Sequence, residues 1–220
     1  MRAGARPGPA AAATALVVGV AALVAAVATA CTQRPPGPAG ASAAAALAAS
    51  TPASAPAAPG PPAATVVAPA GLRIDALGLS ARVDPVGVDA AGDVAVPPSV
   101  DVVGWYRYGP GLEATAGSIV IAGHVDTAEQ GGGAFFRLRE LGPGDAVTVT
   151  GDDGRAYRFA VVAREVYPKT QIPLERYFAR DGAPRLTLIT CGGPFDSRTR
   201  HYRDNVVVTA VPSFMPAAAP

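Results

Sequence analysis

The sequence predicts a mostly β fold, a sandwich or barrel of many short strands, from residue 71 onward, and three observations carry that reading. Short runs rich in valine, isoleucine, tyrosine and phenylalanine recur, Gly, Pro and Asp clusters separate them at strand-and-turn spacing, and no long stretch has helical periodicity. The 220 residues, 50% hydrophobic and 16% charged, suit one well-buried domain. The formal net charge of +1 is uninformative, and the lack of a basic stripe or arginine-aromatic interleaving argues against nucleic acid as a partner.

The chain begins with Arg2 and Arg6, followed by an uncharged run from Pro7 through Gln33 with its apolar centre at Leu16 to Val27. Residues 1–31 therefore read as a signal or membrane-anchor segment, and a positive flank in front sends the remainder outward. The apolar centre has the length of a signal-peptide core, a retained span stays open, and Ala28-Thr29-Ala30 before Cys31 adds lipidation of Cys31 as a third reading. All three place the domain outside the cytoplasm, and the expected location is the extracellular face of the cell membrane.

Residues 32–70 are mostly alanine, proline, serine and glycine, with Arg34 as the only charge. Such a stretch offers too little apolar surface to offset the entropy of ordering, so a disordered Ala/Pro-rich linker is expected. Within the domain, residues 71–212, strands are expected at Leu72–Asp75, Ala81–Val83, Asp93–Val96 and Ser118–Ile121. The clearest hairpin is Ala146–Thr150, a Gly151-Asp152-Asp153-Gly154 turn, and Arg155–Val166. Two more strands follow, Arg185–Thr190 with alternating leucines and Asn205–Val211 with its valines. Gly133–Leu141 and Pro173–Ala179 suit only a turn or two of helix, and residues 213–220 read as a flexible tail.

The chemistry gathers at strand ends. Cys191 closes the alternating run Leu186-Thr187-Leu188-Ile189-Thr190 beside Gly192 and Gly193, and it can be half of a disulfide with Cys31, an inert buried thiol or a nucleophile. A disulfide to Cys31 would fold the linker back on the domain. A nucleophile needs a partner that supplies the thiolate, and His124 follows the apolar run Ile119-Val120-Ile121-Ala122-Gly123, whereas His201 is expected in a charged loop, Ser197–His201, with a solvated role. Arg203 opens the last strand twelve residues after Cys191 and is the candidate for stabilising an oxyanion, a role commonly worth about 3 kcal/mol per donor. Arg198 and Arg200 fall in mid-loop.

Ala122-Gly123-His124, Leu188-Ile189-Thr190-Cys191 and an arginine opening the final strand together resemble the sortases, cysteine transpeptidases that attach surface proteins to Gram-positive cell walls. The similarity runs from Gly71 to Val211 and includes Val103-Gly104-Trp105-Tyr106 and Cys191-Gly192-Gly193-Pro194-Phe195-Asp196, which look most like the actinobacterial class F group. That resemblance implies a closed eight-stranded β-barrel with short helices in its connections. It implies catalysis by His124, Cys191 and Arg203 on a Leu-Pro-x-Thr-Gly sorting signal, cut between Thr and Gly. The acyl group would pass through a thioester to an amine acceptor such as a cell-wall precursor, or to water. Thr190, Ile172, Pro173 and Leu174 are the implied substrate-binding residues, the last three within Tyr167 to Pro184. Asp152 and Asp153 are turn residues, so no metal and no cofactor are expected, and a monomer is.

Two other readings compete. The serine-histidine-glycine-cysteine motif of the L,D-transpeptidases is absent, since Thr190 precedes Cys191. A non-catalytic anchored β-domain that binds a wall component remains the alternative.

Overall fold

A computed structural model describes residues 37–50, 66–90 and 92–213. The export segment 1–31 with Cys31, most of the expected linker and tail residues 214–220 lie outside them. Among the described residues no helix is long and apolar enough to cross a membrane.

Alternating apolar residues set the strands, which run in chain order as β1 (Pro69–Ile74), β2 (Leu79–Val86), β3 (Val102–Tyr106) and β4 (Ser118–Ala122). After a two-residue pair, β5 (Asp126–Thr127) and β6 (Gly131–Gly132), come β7 (Ala146–Gly151), β8 (Ala156–Pro168), β9 (Arg185–Asp196) and β10 (His201–Pro212). Eight of them close a barrel in the order β1-β2-β3-β4-β9-β10-β8-β7. The β2–β3 and β4–β9 neighbours are parallel and the rest antiparallel. Closure leaves the eight barrel strands, among the described residues, without a free sheet edge.

Period-two alternation decides what fills the interior. Leu186 and Leu188 of β9 and Val208 and Ala210 of β10 face inward, where they meet Val103, Ile121, Val147 and Val149, all essentially without solvent exposure. Phe135, Leu138 and Leu141 come from the β6–β7 connection and join the same core. Each large aliphatic side chain withdrawn in this way contributes about 1.5–3 kcal/mol. The opposite face of β9, which includes Ile189 and Cys191, points outward.

The hairpin forms as expected, with Gly154 at φ +77° in its turn. Two expectations need correction. Asp93–Val96 is not a strand: the β2–β3 connection folds on itself through an isolated Val88–Val94 bridge and an Asp89 turn. The second concerns the expected linker, where Ala41–Ala49 form a helix, α1, docked on the barrel. Ala39 exchanges both backbone hydrogen bonds with Arg164 of β8, at 2.8 and 2.7 Å, and the Arg164 guanidinium donates to the carbonyls of Gly37 and Leu141. Ala44 is 2% exposed, and Ala183 N–H donates to Leu47 O at 3.1 Å. Alanine has the highest helix propensity, and here β8 supplies the backbone partners that composition alone does not reveal. The expected turns of helix shrink to a 3-10 turn at Leu138–Glu140 and to α2, Leu174–Tyr177.

Candidate active site

β9 is hydrogen-bonded to β10 through most of its length and to β4 along Arg185–Ile189. The β4 ladder ends at Ala122, opposite Ile189. Gly123 N–H still reaches Ile189 O at 3.1 Å, but Gly123 O accepts the Thr190 hydroxyl at 2.8 Å instead of continuing the ladder. The chains then diverge. Cys191, two residues beyond Ile189, therefore turns its peptide groups toward the side that β4 has left. It is a free, half-buried thiol directly opposite Asn205 of β10.

The divergence also delivers His124. A side chain at Gly123 would come within 2.8 Å of Phe135 and 2.9 Å of Val103, so the strand end lies flat on the core. His124 follows with its carbonyl bound by Phe135 N–H at 3.1 Å, and Val125 O is bound by Gly133 N–H at 2.8 Å. Its Nε2 lies 3.0 Å from Pro97 O in the β2–β3 connection. A carbonyl only accepts, so Nε2 is the donor in that contact.

Arg203 is the third residue of β10 and stands on the same outward face as Asn205. Its Nη2 is 3.2 Å from Asp196 Oδ2, and its side chain is 65% exposed. The Arg198 backbone N–H, then that of Thr199, and the Arg203 guanidinium hold the Asp196 carboxyl below the usual carboxylate range. Between β9 and β10 an extra residue on β9 is taken up near Gly193, whose φ is +73°.

Two clefts meet at Cys191. One, of about 350 Å³, is largely apolar and is walled by Ile172, Leu174 and Phe178 on one side and Val94 and Val96 on the other, with Ile189 and Asn205 also lining it. The second, of about 380 Å³, contains His124, Asp126, Glu129, Arg200, His201 and Tyr202 with Cys191. Tyr202 donates to Asp126 at 2.5 Å there, and that bond raises the Tyr202 phenol above its ordinary range. Lys169 borders both clefts.

Of the residues singled out from sequence, Cys191 and His124 line one cleft, and Ile172, Leu174 and Thr190 line the other with Cys191. Thr190 is 4% exposed and its hydroxyl donates to Gly123 O, so it ties the end of β4 to β9. Pro173 caps α2, its carbonyl accepting from Arg176 N–H at 3.1 Å. Arg203 lines neither of these clefts and faces Asp196. His201 is not in a loop: it begins β10, paired with Asp196, and borders the cleft of His124 while remaining exposed. Asn205 was missed as a site residue, although a twelve-residue return from Cys191 to a pairing strand carries the signal for it. Val94 and Val96 were missed because they read as a strand.

The fold and this site define a closed β-barrel that presents a free thiol and an imidazole into one cleft where β4 ends and diverges from β9. The sortase-domain family model matches residues 72–213, and the chain belongs to the sortase family, a family of cysteine transpeptidases. Among solved structures, the lid mutant of sortase A from Corynebacterium diphtheriae is similar with a TM-score of 0.52 at 19% identity, covering 70% of this chain and 75% of that one. Sortase C-1 from Actinomyces oris gives a TM-score of 0.52 at 18% identity, with coverage of 66% and 73%. Both share the fold. No curated protein sequence matches the chain.

Proposed function

We propose that this chain is a membrane-anchored, extracytoplasmic sortase of class F type that cleaves a Leu-Pro-x-Thr-Gly signal between Thr and Gly and passes the acyl group to an amine. The observation that supports it most is the free thiol of Cys191 at the junction of an apolar groove and the cleft that contains His124. The groove between Ile172, Leu174 and Val94 suits the leucine and proline of the signal. The cleft beyond the thiol leaves room for the departing glycine and the entering amine.

In the first step the proton of the Cys191 thiol passes to His124, Sγ adds to the threonine carbonyl carbon, the C–N bond to glycine breaks, and His124 gives that proton to the leaving amine. A thioester on Cys191 results. The acceptor amine, or water, then adds to the thioester carbonyl and gives its proton to His124, and the sulfur leaves. Arg203, on the outward face with Asn205, holds the substrate backbone or the oxyanion once its guanidinium turns from Asp196.

The test is to incubate the protein with a quenched Leu-Pro-x-Thr-Gly peptide and search by mass spectrometry for the acyl adduct on Cys191. A mass increase equal to the Leu-Pro-x-Thr acyl group, lost on pretreatment with a methanethiosulfonate reagent, is expected. Binding of the peptide without turnover in either sample would mark a binding module and end this reading.

A further inference from the structure

β8 carries an acid in an almost closed site. Glu165 is 5% exposed and faces the connection from β8 to β9, residues 169–184, which builds one wall of the apolar groove. A buried carboxylate must be paired and hydrogen-bonded, and every partner seen here comes from that wall or its root. Arg176 Nη2 donates to Oε2 at 2.7 Å, Tyr177 OH to Oε2 at 2.8 Å, and Tyr167 OH to Oε1 at 2.7 Å. The Arg176 side chain is only 18% exposed and Tyr177 is 1% exposed, so water does little to screen the pair. Burial, with the Tyr167 and Glu165 bonds, pushes the Tyr177 phenol far above its ordinary range and keeps it a donor.

Arg176 and Tyr177 lie within α2, and Leu174 and Phe178, one helical turn apart, line the groove that reaches Cys191. From the other end, Arg185 of β9, 2% exposed, donates to the carbonyls of Asp181, Ala183 and Arg176 at 3.2, 2.9 and 2.9 Å.

We propose that Glu165 is a specificity-positioning residue: without touching substrate, it anchors Arg176 and Tyr177 so that Leu174 and Phe178 stand at a fixed distance from Cys191 and select the apolar residues of the peptide. This rests on the peptide-cleaving reading above. Removing one partner strands a buried charge, whereas replacing both by apolar groups restores stability. That asymmetry separates positioning from mere support.

The experiment compares full-length Glu165→Leu, Arg176→Leu and the double variant. Thermal melting, KM and kcat with the Leu-Pro-x-Thr-Gly peptide and its Ala-Pro-x-Thr-Gly analogue, alkylation of Cys191 by iodoacetamide, and amide hydrogen exchange are measured on each. The single variants should melt earlier, and the double variant should recover. Its KM should nevertheless stay raised about tenfold with kcat within about twofold, and its preference for leucine over alanine should fall by a similar factor. Alkylation should proceed at the wild-type rate. Exchange at 172–178 should be faster than wild type while 186–190 and 206–210 remain protected.

Wild-type KM, discrimination and exchange in the double variant would overturn the proposal and leave Glu165 a supporting group only. Should the unaltered protein cleave neither peptide, the functional reading falls, and exchange at 172–178 still decides whether Glu165 fixes the wall. Tyr177→Phe removes one donor without touching the charges. It should show the same KM-selective change at about threefold if the leucine variants do not fold.

Discussion

At Gly193 the backbone is left-handed, with φ +73°, and a methyl group there would overlap the Asp204 carboxylate. Gly193→Ala should therefore cost about 1–2 kcal/mol of backbone strain before any clash is counted. A melting point several degrees lower, with a fall in turnover because Cys191 is two residues away, is the expected result. The histidines offer a cleaner contrast. Cys191→Ala should abolish adduct formation with little change in melting, and His124→Ala should slow acylation about 10²-fold or more. His201→Ala should leave acylation near the wild-type rate, because His201 borders the cleft from an exposed position. The opposite pattern, measured by single-turnover acylation, would move the proton-transfer role to His201. Arg203→Lys should impair turnover severely, since a point-charge ammonium cannot reproduce the guanidinium's fork of donors.

Between β9 and β10 the Asp196 carboxyl receives the N–H groups of Arg198 and Thr199 at 3.0 and 3.4 Å, and its backbone carbonyl receives Arg200 N–H at 2.7 Å. Its folded pKa lies below the unfolded value, so its support is whole above the ordinary carboxylate range and is lost as pH falls through the depressed value. Amide exchange at 197–200, corrected for its intrinsic pH dependence, should quicken in that acid window. Asp196→Asn should exchange fast throughout and show no step. Elements of this kind were unevenly legible in the sequence. β9 and β10 announce themselves because one face is core and the other is not, so leucines and valines alternate. β4 is buried on both faces and reads only as an apolar run. Val94 and Val96 mimic a strand because groove walls need the same side chains that sheets do. That Cys191 and His124 line one cleft was legible because each follows an apolar run in the sequence. The setting of Arg203 was not, since its contact with Asp196 depends on a bulge that no local pattern encodes.

Over the whole molecule, the barrel's order brings β4 and β9, far apart along the chain, into parallel contact, and the site opens where they separate. The docked residues 37–50 were the least legible part, because their partners, Arg164 and Ala183, lie more than a hundred residues away. Ala44→Glu, which forces a charge into a 2% exposed position, should detach α1, speed proteolysis within 41–49 and lower barrel melting only modestly. Limited proteolysis beside a thermal scan checks both effects.

The attachment of α1 also sets where mechanical load enters. A pull on the chain ahead of Gly37 arrives at Arg164 in β8 and at Ala183 beside the groove wall before any of it reaches the first strand at Pro69. In the membrane-anchored protein proposed above, the barrel would be moored by its flank, and its leash would be shorter by the stretch that lies fastened along that side.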